Sequence, residues 1–169
     1  MDLLKAFALA SLSDAVLVYA GEGSQRLELE NEATRLGISG RVRFLGFLNQ
    51  SQLPSVYAAS DLMVLPSEYE PFGVVVNEAF CCGCPVIASD RVGAARDLIA
   101  AVDPRLVYPW GNVEALSMLL GDLYRNPAWR KQLAIAAERR MAIWTPQATV
   151  DRIVAAVVAA QRRAHQDNL

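Results

Sequence analysis

The strongest constraint on the fold is the alternation of short apolar segments with longer amphipathic or charged ones. Five apolar runs, several of them rich in β-branched residues and closed by Gly or Pro, have the length and composition of buried strands: 15–20, 41–45, 61–66, 85–90 and 106–108. Strands that alternate with helices favour right-handed crossovers. The sequence therefore predicts an α/β protein, a three-layer α/β/α domain with a parallel sheet.

The turns that follow four of these runs carry glycine and polar residues. In open parallel sheets, ligands bind beyond the carboxyl ends of the strands, so four loops are expected to converge on one rim: Gly21–Ser24, Gly46–Asn49, Ser67–Gly73 and Asp90–Gly93. The first of them, GEGS, has only two of the three glycines of a dinucleotide fingerprint, and a plain tight turn is the better explanation. Ser51, at the end of the second loop region, is expected to cap the next helix.

The segment Glu70–Glu78, EPFGVVVNE, brings two carboxylates together with a helix start. Gly73 is predicted to open a helix that ends near Gly83, before Pro85. Glu70 then precedes the first turn, and Glu78 lies about 7–8 Å further along the axis at about 1.5 Å per residue. The amides of the first turn lie between them and favour an anion. Alternatively, Glu70 only complements the helix dipole and Glu78 lies on a solvated face.

Composition narrows the functional classes. The chain has 169 residues, enough for one domain, and the whole of 1–169 is predicted to form it, with a core over about 2–144 and a C-terminal helix over about 146–166. Sixteen basic and eighteen acidic residues leave a net charge of −2 without a basic block, which argues against nucleic-acid binding. No apolar run is long enough to cross a membrane. The N-terminus lacks the basic region of a signal peptide.

Three cysteines, Cys81, Cys82 and Cys84, include a CxxC spacing. A zinc site needs about four ligands, and the single histidine, His165, is far along the chain, so no metal site is expected. Buried structural thiols in a reducing compartment are the preferred interpretation.

The last third is predicted to be helical. In its final helix the apolar side chains recur every three or four residues and form what we call the valine stripe: Val150, Ile153, Val154, Val157 and Val158. Either this stripe folds onto its own domain, or it stays open and supports self-association.

These pieces together resemble a known family. LVYAGEGSQR, RVRFLGF, LPSVYAASDLMVLPS and EPFGVVVNEAFCCGCPVIASD follow one another as in the C-terminal, donor-binding half of group 1 (family 4) glycosyltransferases of the GT-B architecture, which pair two Rossmann-like domains. The resemblance runs from Asp2 to about Trp144. It implies a retaining transfer of a hexosyl group from a nucleoside-diphosphate sugar, with UDP- or GDP-sugars favoured over ADP-sugars, no cofactor, and a cytoplasmic location or one at the inner membrane face.

The resemblance also assigns roles to individual residues. Glu70 would lie against the donor sugar as the catalytic residue, and Glu78 would accept hydrogen bonds from the ribose diol. The remaining donor-binding residues form three groups: Phe72, Gly73 and Val74 at the sugar and diphosphate, Phe47 and Leu48 at the nucleobase, and Gly21 and Gly23 at the turn lining the cleft.

Two departures from the family matter. The arginine and lysine that neutralise the diphosphate precede the first helix in the family, and this sequence begins after that point; Arg91 is a candidate replacement. The N-terminal acceptor domain has no counterpart in residues 1–169. We therefore expect this chain alone to be catalytically silent, completed by an acceptor domain or partner chain. A non-catalytic assembly module, an epimerase or a glycoside hydrolase remain alternatives.

Overall fold

The computed structural model describes residues 1–166 and confirms the predicted α/β class. Five short strands alternate with helices along the chain: β1 (Leu17–Ala20), β2 (Val42–Gly46), β3 (Met63–Leu65), β4 (Val86–Ser89) and β5 (Val107–Tyr108). Each corresponds to one of the apolar runs. Every ladder between these strands is parallel.

Seven helices before the C-terminal one pack around the strands: α1 (Asp2–Leu9), α2 (Arg26–Arg35), α3 (Leu53–Ala58), α4 (Val74–Cys81), α5 (Ala100–Val102), α6 (Val113–Arg125) and α7 (Pro127–Ala142). α1 contacts α2 and α6, whereas α4 contacts α3 and α7, which also packs against α5. α6 and α7 also contact each other, so the two sets of helices meet at this pair.

The hydrogen-bonded strands form two sheets rather than one. β1 pairs with β2, and β3, β4 and β5 form a second ladder in that order. β4 is buried along its whole length, whereas all three residues of β3 are only partly buried. The prediction of a parallel arrangement is confirmed, but the single continuous ladder is not formed by the described residues.

Local signals set most helix ends. Gly73 and Gly83 adopt positive φ of 76° and 69° at the two ends of α4, the left-handed conformation that glycine tolerates best. The Ser51 cap is wrong: α3 starts after Gln52 without a side-chain cap. Asn49 organises that turn instead, because its Oδ1 accepts hydrogen bonds from the backbone amides of Ser51 and Gln52.

Two further expectations need correction. A π-helical segment, Ala95–Ile99, which continues directly into α5, was not predicted. Of the three thiols, only Cys84 is buried; Cys81 is exposed and Cys82 is partly exposed, because α4 ends there at the surface.

The C-terminal helix α8 (Pro146–Gln166) leaves the valine stripe in solvent. The five stripe residues are between 38% and 59% exposed, so the alternative in which the stripe folds onto its own domain is wrong. The guanidinium of Arg152 lies over the ring of Trp144, 5.4 Å from its centroid, at the base of this helix. None of the helices within residues 1–166 has the length and hydropathy that a membrane crossing requires.

Candidate functional site

The candidate site is built around the loop that joins β3 to α4. Its first carboxylate, Glu70, is held on both sides by backbone bonds: its N–H donates to the carbonyl of Arg91 at 3.3 Å, and its carbonyl accepts from Gly93 at 2.8 Å. A β-bridge joins Glu70 to Val92. The structure thus brings together the Ser67–Gly73 and Asp90–Gly93 loops, as the rim prediction requires.

Gly93 makes this contact possible because it has no side chain. A Cβ built at Gly93 would lie 2.0 Å from the carbonyl oxygen of Pro71, well inside any real contact. The sequence places Gly93 in the rim loop but does not by itself reveal this close approach. The glycine itself was the available signal, since an isolated glycine after a strand often marks close backbone packing.

Further polar bonds fix the same rim. The buried Ser89 donates its hydroxyl to the carbonyl of Ser67 at 2.5 Å and accepts from the amide of Arg91 at 3.3 Å. Asp90 accepts from the amide of Trp110 through Oδ1 at 3.0 Å. The ends of β3, β4 and β5 are therefore tied together where the candidate ligand groups stand.

The side chain of Glu70 caps the turn that leads into α4. Its Oε1 accepts from the amides of Gly73 at 3.0 Å and Phe72 at 3.3 Å. The sequence predicts that these two amides could bind an anion. In the structure they donate hydrogen bonds to a carboxylate of the protein itself. The next two amides, of Val74 and Val75, begin α4 and have no intrahelical acceptor by helix geometry.

Glu78 is the fifth residue of α4 and is half-buried. Its Oε2 accepts the hydroxyl of Tyr57 from α3 at 3.1 Å. Burial, and then this bond to the carboxylate, raise the pKa of Tyr57 to about 12. Tyr57 therefore stays a donor at neutral pH and orients Glu78, a role that sequence analysis missed because the partner lies on another helix.

The other two rim loops, Gly21–Ser24 and Gly46–Asn49, contact each other and form a second pair. The amide of Gly21 donates to the carbonyl of Gly46 at 2.8 Å, and both glycines have positive φ, 122° and 73°. Gly23 is exposed, and its carbonyl accepts from the amide of Arg26 at 3.2 Å. Beyond Gly46, Phe47 is 76% exposed.

Two cations on or beside these loops make solvent-exposed ion pairs. Arg26, directly after the glycine turn, makes ion pairs with Glu22 at 3.7 Å and Glu30 at 3.0 Å, and its side chain is 44% exposed. Among the described residues, Arg91 makes an ion pair only with Asp90, 4.0 Å away, and its side chain is 65% exposed. Arg91 is predicted from the sequence as a replacement cation, whereas Arg26 is not.

Two open cavities of the described chain are lined by residues other than the two glutamates. One of about 520 Å³ lies beside Asp90 and Gly93 and is bounded by Arg96 and Asp97. Another, about 560 Å³, lies on α7, far from the rim in sequence, and includes Ile135 and Ile143. Among residues 1–166 no cluster of three or more His, Cys, Asp or Glu side chains is arranged to hold a metal ion.

The rim lies within a region that matches a known protein family. The family model for glycosyl transferases group 1 matches residues 1–140. The chain belongs to the group 1 glycosyltransferase family. The matched range contains both rim glutamates and all four loops.

Curated members of the family are similar to part of this chain. A 2-deoxystreptamine N-acetyl-D-glucosaminyltransferase of Streptomyces fradiae is 37% identical over 73% of this chain and 29% of its own length. A D-inositol 3-phosphate glycosyltransferase of Thermomonospora curvata is 35% identical over 80% of this chain and 31% of its own length. The group 1 glycosyltransferase chain described here thus spans about a third of the length of these relatives.

Solved structures share the fold. WaaG, a glycosyltransferase involved in lipopolysaccharide biosynthesis, superposes with a TM-score of 0.75 at 26% identity, over 83% of this chain and 38% of its own. Anabaena HepE, solved in complex with UDP and glucose, superposes with a TM-score of 0.77 at 26% identity, over 94% of this chain and 44% of its own. This group 1 glycosyltransferase chain therefore has the Rossmann-like fold of one domain of a GT-B enzyme, which confirms the resemblance.

Proposed function

We propose that residues 1–169 form the donor-binding domain of a retaining hexosyltransferase and bind a nucleoside-diphosphate sugar at the rim. The observation that carries this is Glu78, a carboxylate positioned by Tyr57 on the helix that starts at the rim loop. The complex of Anabaena HepE with UDP and glucose supports a donor of this class.

Glu78 is assigned to the ribose diol. An ionised carboxylate offers acceptor sites on both oxygens and no donor. Tyr57 bonds to Oε2, and Oε1 makes no hydrogen bond to any residue that the structure describes. A vicinal diol supplies two O–H donors, so it complements the oxygen that the protein leaves unused.

Glu70 is assigned to the donor sugar, beside the reacting carbon. Its carboxylate now stands at the start of α4 and accepts from the Phe72 and Gly73 amides. A diphosphate placed at the same helix start, near Val74, would be repelled by this charge unless a cation balanced it or Glu70 rotated towards the sugar. Rotation would free both amides for oxygen atoms of the ligand.

A shortage of cations to neutralise the diphosphate is the reason we expect this chain alone to have no catalytic activity. Arg91 lies on a rim loop and Arg26 at the start of α2, and both already face carboxylates. Two charge-assisted contacts that the family supplies ahead of α1 are each worth about 1.5–3 kcal/mol. Lacking both weakens donor binding by roughly two to four orders of magnitude. We expect no turnover of a nucleotide sugar by residues 1–169; measurable transfer or hydrolysis by the pure chain would contradict this.

The nucleobase is assigned to Phe47 and Leu48, with the Gly21 and Gly23 turn beside them. The exposed Phe47 and the half-buried Leu48 follow the Gly46 turn. Backbone groups of such a turn can hydrogen-bond to a base edge. A uracil or guanine base is preferred in this proposal, and the three free cysteines agree with a cytoplasmic protein.

Ligand-observed NMR with UDP-, GDP- and ADP-sugars tests the assignment. We expect base-selective binding that Glu78→Ala abolishes. The matched control is Glu138→Ala, which removes an exposed carboxylate beside Gly83, at the opposite end of α4. Equal binding by the unmodified chain and both variants would overturn the role of Glu78, and binding of none of the sugars would favour a module without a donor site.

A second proposal concerns assembly. The exposed valine stripe on α8 favours association with another copy of this chain, because an amphipathic helix gains stability when its apolar face is buried. Sedimentation velocity across a hundredfold concentration range should show a dimer that Val154→Lys disperses. A monomer at every concentration would contradict it.

A further inference from the structure

The negative charge of Glu70 has no cationic partner within the described chain. Arg91, on the adjoining loop, pairs with Asp90 instead, and none of the ion pairs between described residues includes Glu70. The Oε1 atom of Glu70 accepts from the amides of Phe72 at 3.3 Å and Gly73 at 3.0 Å. A carboxylate that no cation neutralises therefore lies where α4 begins.

Glu70 takes the place of a capping side chain at this helix. The residue at the N-cap of α4 is Gly73, which has a φ of 76° and no side-chain oxygen. Ser, Thr, Asp or Asn usually accepts from the first amides of a helix, and here Glu70 does so from three residues before the cap. The next amides, of Val74 and Val75, have no intrahelical acceptor by helix geometry, and Val74 is 64% exposed. An anion that reaches these amides lies beside the carboxylate of Glu70.

The backbone of Glu70 is fixed more firmly than its side chain. Its N–H and its carbonyl are both hydrogen-bonded to the Asp90–Gly93 loop, and a β-bridge joins it to Val92. Among the described residues, the carboxylate bonds only to the two amides, and Glu70 is partly exposed. Rotation about the side-chain bonds is therefore enough to exchange these donors for others, and the loop need not move.

The donor and the product of the proposed reaction differ in what they offer this carboxylate. The sugar of a nucleoside-diphosphate sugar has hydroxyl donors that can replace the two amides, so the carboxylate can turn to the sugar and release the amides to the diphosphate. The nucleoside diphosphate that remains after transfer has no hydroxyls at this end. Its terminal phosphate also has a second ionisation, with a pKa of about 6, and so carries more negative charge at neutral pH. The carboxylate then stays on the amides, and the like charges repel.

We propose that Glu70 selects the sugar-bearing donor over the bare nucleoside diphosphate, and so favours release of the product, by occupying the amides of Phe72 and Gly73 unless a sugar displaces it. This role rests on the proposed function and is separate from any stabilisation of the reacting carbon. A residue that only contacts the sugar would leave the binding of the bare nucleotide unchanged, whereas Glu70 weakens it.

Affinities for UDP and UDP-glucose, with GDP and GDP-glucose as a parallel pair, test this role by ligand-observed NMR. Glu70→Gln removes the charge but keeps an oxygen that can cap the same amides, so the fold is retained. Glu68→Gln is the matched control, because it removes an exposed carboxylate from the same loop. We expect Glu70→Gln to bind the bare nucleotide at least about tenfold more tightly, and its preference for the sugar-bearing form to fall by at least that factor. Glu68→Gln should change neither affinity by more than about twofold, because solvent and salt screen its charge.

The outcomes separate this role from the proposed function. Unchanged affinity of Glu70→Gln for the bare nucleotide, in a chain that binds the sugar-bearing form, would overturn the role of Glu70 and leave the proposed function in place. An equal loss of both ligands would do the same, since it would show only a structural role, as would an equal gain in Glu68→Gln. Binding of no nucleotide by any of the three proteins would contradict the proposed function and this role with it.

Discussion

Replacing Gly93 by alanine is expected to disrupt the candidate site by forcing apart the two loops that hold Glu70. The new Cβ would lie 2.0 Å from the carbonyl oxygen of Pro71 and 2.8 Å from its carbon, and both are backbone atoms. Real Cβ contacts do not fall below 3.0 Å, so the two loops must separate by about 1 Å at least. The bonds that hold Glu70 to Arg91 and Gly93 lie within this contact.

The magnitude follows from those bonds. Two backbone hydrogen bonds contribute about 1–3 kcal/mol together, and alanine recovers about 0.4–1 kcal/mol by restricting the unfolded chain. The net loss is therefore up to about 2.6 kcal/mol, which lowers the Tm by up to about 10 °C in a chain of this size. A shift of about 1 Å at a positioned carboxylate is large enough to cost about a hundredfold in a function that depends on it.

The assay is thermal unfolding by circular dichroism, with ligand-observed NMR of a UDP-sugar on the same samples. Gly40→Ala is the matched control, because a Cβ there meets nothing within 4 Å and its φ is not positive. We expect Gly40→Ala to melt and bind like the unmodified chain. The reasoning is refuted if Gly93→Ala melts with Gly40→Ala and binds the ligand equally well.

Two further predictions concern titratable groups. Burial raises the pKa of the Cys84 thiol to about 12, so at pH 7.5 a maleimide should label the exposed Cys81 and spare Cys84 until the chain is unfolded, as mass spectrometry of the labelled peptides will show; early labelling of Cys84 would contradict its burial. Hydrogen bonds from Arg105 hold the pKa of Asp103 below its usual 3.8, so this carboxylate stabilises the fold above about pH 3.8 and ceases to do so as the pH falls through the lowered value. Urea unfolding should therefore show Asp103→Asn to be about 1–2 kcal/mol less stable at pH 7, with the difference shrinking as the pH falls below 3.8, whereas a constant difference would refute the linkage.

Apolar periodicity and the flanking glycine and proline residues were enough to predict the strands and most helices, because each apolar run is bounded by glycine or proline. Gly73 and Gly83 illustrate this, since both adopt the left-handed conformation that the α4 prediction required. The helical turn Ala95–Ile99 was missed because it follows Gly93 without a capping residue or a clear apolar period. The cap at Ser51 failed because Asn49, two residues earlier, competes for the same amides.

The residues of the candidate site could be predicted from the sequence, but the hydrogen bonds between them could not. The motif indicated Glu70 and Glu78, and the rule for parallel sheets indicated the rim loops. The Tyr57 bond to Glu78 joins α3 to α4, and the capture of the Gly73 amide by Glu70 depends on loop conformation. Neither leaves a periodic signal in sequence. The division of the strands into two sheets could not be predicted either, because the pattern of each strand does not show which neighbour it pairs with.

The most direct measurement of the central claim is a two-dimensional ¹⁵N–¹H NMR titration of residues 1–169 with a UDP-sugar. If the rim is the donor site, the shifted amides will cluster at 21–24, 46–48 and 70–78, with the largest changes at Gly73 and Val74. Shifts confined to the α7 cavity near Ile135, or no shifts at millimolar ligand, would contradict the account.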